Sequence, residues 1–292
     1  MIGYKVSLAA LKKKLGKKWL DKAQTRTDAF RQLGYYEETS TIWSEVKGEY
    51  MTLQHEKCAF CERKLESIDY GKGEQDVEHF RPKSSVKAWK APKELTQAGI
   101  AFTAVPPGRT GYYLLPYHPL NYSAACKPCN SVLKKDYFPI AGQYDFKGDD
   151  PTTMAAEQPY LIYPIGDFDE PPEDLLQFNG IAPCPTDTTP GYRRNRALVT
   201  IAFFGLDSQK RKNLLSERAR CLVTLYPYLV TQDDANAAQD VRNDARILVD
   251  AYTRPNAPHA NCSRSFVRLF KADSALAKAM HGAALKLITG SS

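Results

Sequence analysis

Two Cys-x-x-Cys pairs constrain this chain more than any other feature of its sequence. Cys58 and Cys61 form the first pair, and Cys126 and Cys129 form the second. Two residues between cysteines let both thiolates reach one metal ion from a tight turn, and a second pair completes a closed four-sulfur site. Sixty-four residues separate Cys61 from Cys126, so the metal would join two distant segments. The spacing therefore predicts a structural Zn²⁺ site.

A redox function is the competing interpretation of a Cys-x-x-Cys motif. A thioredoxin-like protein carries one such pair beside a βαβ pattern, whereas this chain has two pairs and no such pattern. The three other cysteines stand alone, and we interpret Cys184, Cys221 and Cys262 as buried thiols. Structural zinc is thus favoured over a redox site.

Length and composition indicate a folded protein with a substantial core. The chain has 292 residues, of which 43% are hydrophobic. It contains no apolar run of 18 residues and no leader-like segment at its start, so we expect a cytoplasmic protein without a membrane span. A net charge of +7 suits a polyanionic partner such as nucleic acid, although many proteins carry such a charge without binding one.

Hydrophobic spacing divides the chain into three predicted regions. Residues 1–54 form a helical region, in which Leu8, Leu11, Leu15 and Trp19 mark one amphipathic, lysine-rich helix. Residues 55–145 form the core, and residues 146–292 form a β-hairpin followed by helices. The hairpin is predicted to pair 159–164 with 176–181. The helices are predicted over 192–206, 208–226, 232–252 and 273–287.

The residues between and after the cysteine pairs suit phosphodiester hydrolysis, which needs a base and a cation held by ligands that leave positions open. His79 can be the base, because its neutral imidazole accepts a proton near neutral pH. Glu78 and Asn130 offer the hard oxygen ligands that Mg²⁺ or Mn²⁺ prefer. Neighbours on a strand point to opposite faces, so a site shared by Glu78 and His79 requires an irregular backbone there.

The motifs resemble a known nuclease family. The segments from Val77 to Lys83 and from Ala125 to Pro139, with Asn121 between them, are similar to the HNH endonucleases. More narrowly, they resemble the HNH nuclease component of Septu antiphage systems, also found in retron operons. The match covers about residues 58 to 139.

The resemblance implies an α+β fold with a ββα-metal core, surrounded by mainly helical N- and C-terminal regions. It implies that His79 is the general base, that Glu78 and Asn130 bind Mg²⁺ or Mn²⁺, and that Asn121 braces the loop bearing the base. Glu78 stands where many members have Asp, and Asn130 where many have His. The resemblance also implies an ABC-type ATPase partner and a nucleic-acid substrate, with DNA favoured over RNA.

Basic residues and a second histidine around this centre are candidates for nucleic-acid contact, although flanking cations are often only solvated. These candidates are Arg81, Lys83, His118, Lys134 and Lys135. Two other functions stay open. The zinc frame could serve a nucleic-acid-binding or assembly module without catalysis, or the chain could be a restriction-type nuclease that needs no ATPase.

Overall fold

The computed structural model describes residues 1–71, 73–108 and 111–290. The described residues form ten α-helices and four β-strands, which confirms the predicted α+β class. The helices are α1 (Leu8–Leu15), α2 (Lys17–Leu33), α3 (Lys47–Leu53), α4 (Lys93–Gln97), α5 (Pro172–Leu175), α6 (Tyr192–Phe203), α7 (Lys212–Asp233), α8 (Gln239–Thr253), α9 (Ala260–Ala272) and α10 (Ser274–Thr289). The strands are β1 (Gln75–His79), β2 (Tyr122–Cys126), β3 (Leu176–Asn179) and β4 (Ala182–Pro185).

The predicted N-terminal helix is two helices. Ser7 caps α1 by accepting a hydrogen bond from the backbone N–H of Ala10 at 3.2 Å. Gly16, with φ of 79°, then separates α1 from α2, because this conformation is open to glycine and strained for other residues. Leu11, Leu15 and Trp19 are buried as the periodicity predicts.

The central sheet has two antiparallel strands, in which Gln75 pairs with Cys126 and His79 pairs with Tyr122. A π-helical turn over Pro128–Lys134 follows β2 directly. The sheet therefore joins the segment that carries Glu78 and His79 to the segment that carries the second cysteine pair. Along the chain, β1, β2 and this helical turn follow in that order and carry Glu78, His79 and the second cysteine pair.

The second sheet corrects the predicted hairpin. Strand β3 pairs with β4, with Asn179 opposite Ala182, and Gly180 at φ of 62° makes the turn between them. Residues 159–164 form no strand and run as a buried segment, in which the Pro164 carbonyl accepts a hydrogen bond from the Tyr4 N–H at 2.7 Å. The sequence did not predict β4, because it contains Pro183 and Pro185 and proline is unusual inside a strand.

The C-terminal helices pack around α7. Helices α8 and α10 lie against α7, and α9 lies against β3. The four predicted helices are present, with α7 and α8 beginning several residues later than predicted. The prediction missed α9, whose buried face mixes the polar side chains of Asn261, Ser263 and Ser265 with apolar ones such as Phe266.

Long-range contacts tie the three predicted regions together, while their boundaries stay a prediction. Lys57 donates a hydrogen bond from Nζ to the Ala257 carbonyl at 2.8 Å, and the Glu62 carboxylate accepts one from the N–H of Asn261 at 3.4 Å, near the start of α9. None of the described helices is long and apolar enough to cross a membrane.

Candidate functional site

The four cysteines of the two pairs form one buried cluster. The sulfur atoms of Cys58, Cys61, Cys126 and Cys129 all lie within 4.8 Å of one another. The Sγ atoms of Cys61 and Cys126 are 3.8 Å apart. A tetrahedral Zn²⁺ with Zn–S bonds of about 2.3 Å places its sulfur ligands about 3.8 Å apart, so these residues fit a zinc ion.

Backbone hydrogen bonds hold the first cysteine pair against β2. The N–H of Ala59 donates to the Ala124 carbonyl at 3.0 Å, and the N–H of Cys126 donates to the Cys58 sulfur at 3.4 Å. The buried Gln54 amide accepts from the N–H of Ala124 at 2.7 Å and donates to its carbonyl at 2.9 Å. The cluster is therefore continuous with the strand that pairs with Glu78 and His79.

Arg211 is a residue near the cluster that the sequence analysis missed. Its Nη2 lies 3.7 Å from the Cys129 sulfur, and its Nη1 donates a hydrogen bond to the Phe204 carbonyl at 2.7 Å. A four-thiolate zinc site carries excess negative charge, which a neighbouring guanidinium compensates. No spacing signal could have identified Arg211, because it lies 82 positions after Cys129.

Replacing Arg211 with glutamine is expected to weaken zinc binding about 10- to 100-fold, the usual cost of losing a partner of a metal ligand. A chelator competition titration on the full chain measures this affinity. Lys212→Gln removes a positive charge from the adjacent, exposed position and serves as the control. Equal zinc affinities of the two variants would contradict a role for Arg211.

A cavity of about 630 Å³ opens beside the central sheet. Among the residues that line it are Glu78, His79, Lys83, Asn130, Lys135 and Asp136. The structure therefore brings the predicted base and both predicted metal ligands to one cavity. Strand β1 ends at His79, and both Glu78 and His79 line the cavity although they are neighbours in the chain.

His79 is held in one tautomer. Its Nε2 lies 3.0 Å from the Pro116 carbonyl oxygen, which also accepts a hydrogen bond from the Tyr122 hydroxyl. A carbonyl only accepts, so Nε2 carries the proton and Nδ1 keeps its lone pair. Trp43 and Tyr122 pack edge-on against the imidazole, each at 5.0 Å between ring centroids. Burial, and secondarily the charge of Lys83, holds the pKa of His79 well below its usual value, so the ring is neutral.

Glu78 forms a buried ion pair. Its Oε1 lies 3.3 Å from Nζ of Lys134, and both side chains are almost fully buried. Burial raises the pKa of Glu78 to about 7, against the opposing effect of the Lys134 charge. The carboxylate and the amide of Asn130 are hard oxygen donors at one cavity, and this donor set fits Mg²⁺ or Mn²⁺.

Asn121 links the segments on either side of the site. Its Oδ1 accepts a hydrogen bond from the Arg81 N–H at 2.7 Å, and its Nδ2 donates to the carbonyls of Arg81 and Leu115 at 3.1 and 3.0 Å. The Asn121 carbonyl also accepts from the N–H of Phe80 at 2.9 Å. Three of these bonds hold the two residues immediately after His79, and the fourth ties them to Leu115, the residue before Pro116.

The candidate nucleic-acid contacts divide into two groups. Lys83 and Lys135 line the cavity, and Nζ of Lys83 lies 4.5 Å from the Trp43 ring centroid. Arg81 and Lys134 are buried and do not line the cavity, and their contact with nucleic acid stays a prediction. Arg81 pairs through Nε with Glu157 at 2.8 Å.

His118 lies apart from this cavity, and its contact with nucleic acid stays a prediction. It lines a separate depression together with Lys12 and Asp150. Its Nδ1 accepts a hydrogen bond from the N–H of Leu120 at 3.2 Å, and burial lowers its pKa to about 4. The His118 side chain therefore caps the short helical turn that leads to Asn121.

The fold and site define an α+β protein with a four-cysteine cluster that can bind zinc. Compared with known proteins, the chain is 25% identical over 223 residues to the Septu protein PtuB of Bacillus mycoides (strain KBAB4). The aligned part is 71% of this chain and 65% of that protein, so the chain spans just under two thirds of its relative's length. This similarity supports a distant relationship to the Septu proteins. No family model and no solved structure matches the chain.

Proposed function

We propose that this protein is a metal-dependent HNH-type endonuclease that acts in antiphage defence. The observation that carries the proposal is the arrangement around His79, whose Nε2 is bound to the Pro116 carbonyl while Glu78 and Asn130 line the same cavity. The two strands and helical turn that hold these residues are consistent with a ββα-metal core. The similarity to PtuB supports the defence role.

In this proposal, His79 accepts a proton from the attacking water through Nδ1. The neutral state that burial imposes keeps this nitrogen available, and the Pro116 carbonyl can stabilise the positive charge that forms on the ring. The hydrogen bonds from Asn121 to the chain after His79 hold the ring in place. Asn121 thus acts as a positioning residue.

Glu78 and Asn130 would hold the divalent cation. When bound, Mg²⁺ or Mn²⁺ neutralises charge that develops on the departing oxygen. Lys134 forms a buried ion pair with the Glu78 carboxylate, so the negative charge of Glu78 is compensated inside the protein. Lys83 and Lys135 line the cavity where they can meet substrate phosphates. The product is expected to carry a 5′-phosphate.

The proposed partners rest on the resemblance of the motifs to the Septu nucleases, which the similarity to PtuB supports. We infer that the nuclease works with an ABC-type ATPase in the cytoplasm and that its substrate is nucleic acid, with DNA favoured over RNA. The helical regions before Cys58 and after Tyr192 are the proposed docking surfaces. The four-cysteine cluster takes no part in the chemistry, because four thiolates close the zinc coordination sphere.

Exchanging Glu78 for glutamine tests the metal site. The amide keeps the shape and can still accept from Lys134, but it removes the negative charge. We expect the Mn²⁺ affinity, measured by calorimetry, to fall at least about 10-fold. Loss of a residue that only supports a metal ligand already lowers metal affinity by this factor. Cleavage should fall with it.

Asp76→Asn is the matched control for this exchange. Asp76 lines the same cavity but pairs with Lys127, so the Asp76→Asn variant should bind Mn²⁺ like the wild type. Equal Mn²⁺ affinity of the Glu78→Gln variant and the wild type would exclude Glu78 as a ligand.

A further inference from the structure

A short turn lies at the rim of the cavity beside the central sheet. This rim turn, residues 67–71, is closed by a backbone hydrogen bond of 2.8 Å between its two ends. Ile68 lines the cavity and is 40% exposed. Tyr70 follows two residues later and is 86% exposed. Two residues of chain span at most about 7 Å, so Tyr70 lies beside the cavity.

The rim turn is fixed to β1 through Gln75. This side chain is fully buried, and its Nε2 donates a hydrogen bond to the Glu66 carbonyl at 2.8 Å. A Cβ atom on Gly71 would lie 2.3 Å from the same nitrogen, so the turn packs directly on the Gln75 amide. The Ile68 side chain packs over Gly48 of α3. The turn is therefore pre-organised, and a ligand that binds it does not have to order it first.

The Tyr70 ring is open on both faces. Within the part of the chain that the structure describes, no side chain stacks on this ring and none forms a hydrogen bond with its hydroxyl. A single exposed apolar side chain is common on protein surfaces. Here two of them, Ile68 and Tyr70, share one turn beside a charged cavity. Both side chains are therefore available to a ligand that enters the cavity.

The charges of the cavity and of the rim turn suit different parts of a nucleic-acid strand. Lys83 and Lys135 line the cavity, where they can meet phosphates. The rim turn contains the exposed acidic residue Asp69 and no basic residue. A phosphate is disfavoured beside this carboxylate, whereas an uncharged base is not. Bases stack on exposed aromatic rings, so the turn suits bases and the cavity suits phosphates.

We propose that the rim turn binds a nucleobase of the substrate strand, by stacking on the Tyr70 ring and by apolar contact with Ile68. This role rests on the nuclease function proposed above, because a phosphate placed at His79 brings its neighbouring nucleotides to the rim. Stacked nucleotides follow one another at about 3.4 Å, so the nearest bases lie within reach of the turn. The base is either unpaired in a single strand or exposed where a duplex opens.

Oligonucleotide binding to the full chain tests this role, without added Mg²⁺ or Mn²⁺ so that the strands stay intact. Fluorescence anisotropy gives the Kd for a single strand and for a strand of the same length that lacks bases. Tyr70→Ala should bind the base-bearing strand at least about fivefold more weakly, the lower range for one stacked base, and the abasic strand equally well.

Two further variants serve as controls for this exchange. Tyr70→Phe keeps the ring and should bind both strands like the wild type. Tyr35→Ala removes another exposed tyrosine, which does not line the cavity, and should also bind like the wild type.

The outcomes separate the alternatives. A loss of affinity for the single strand identifies an unpaired base, and a loss for a duplex identifies a base step that opens; either supports the role of Tyr70. Wild-type affinity of Tyr70→Ala for the base-bearing strands would overturn it, also where binding of the proposed ATPase is lost instead. An equal loss for the abasic strand, or no binding of nucleic acid by the wild type, would overturn it too. Binding that depends on Tyr70 in a protein that never cleaves would contradict the nuclease function alone.

Discussion

Replacing His79 with alanine is expected to reduce nucleic-acid cleavage by at least about 100-fold, the lower range of what a general base contributes. The exchange removes the nitrogen that accepts the proton from water. It also removes one hydrogen bond to the Pro116 carbonyl, which keeps the Tyr122 hydroxyl as a donor, so the fold should persist. Cleavage rates, circular dichroism and zinc content of the same preparations measure these effects.

The control for this exchange is another histidine. His281 lies on α10, stacks on Tyr226 and is outside the cavity, so His281→Ala should cleave like the wild type. If His79→Ala cleaves at the wild-type rate, His79 is not the base. If neither the wild type nor the His79→Ala variant cleaves and both bind nucleic acid equally well, the protein would instead be a binding or assembly module.

Replacing Cys126 with serine is expected to release zinc and unfold the protein. Structural zinc contributes about 10–16 kcal/mol of apparent binding free energy in small zinc modules, which rivals the 5–15 kcal/mol stability of a whole domain. Cys126 also ends β2, so loss of the metal should loosen the pairing that positions His79. Elemental analysis and thermal unfolding measure both effects.

Cys184→Ser provides the comparison for the zinc prediction. Cys184 is half-buried in β4 and lies outside the four-cysteine cluster. Its exchange should leave zinc content unchanged at one ion per chain. A Cys126→Ser protein that unfolds at the same temperature as the wild type would show that the cluster does not stabilise the fold.

The sequence was informative where chemistry requires fixed spacing. The spacing within each Cys-x-x-Cys pair predicted the four-cysteine cluster. The sulfur atoms of the two pairs do lie close enough together to bind one metal ion. Helical periodicity likewise predicted α10 nearly to its ends, because a helix repeats its apolar positions. The assignment of Glu78, His79 and Asn130 to catalysis stays a prediction, although all three line one cavity.

The sequence was least informative where tertiary contacts set a residue's environment. Arg81 and Lys134 resemble surface cations in the sequence, but both are buried in the structure. Arg81 forms an ion pair with Glu157, and Lys134 forms one with Glu78. The partner of Arg81 lies 76 positions away, so no local pattern could predict the pair. Arg211 reaches the cysteine cluster across a similar distance.

Cleavage by the purified, zinc-loaded protein tests the central claim most directly. Plasmid DNA, single-stranded DNA and total RNA are incubated with the protein, alone and with the proposed ABC-type ATPase partner, in the presence and absence of Mg²⁺ or Mn²⁺. We expect cleavage of at least one substrate that requires the added cation and leaves 5′-phosphate ends. Failure of the zinc-loaded protein to cleave any of them, even with the partner present, would contradict the assignment as a nuclease.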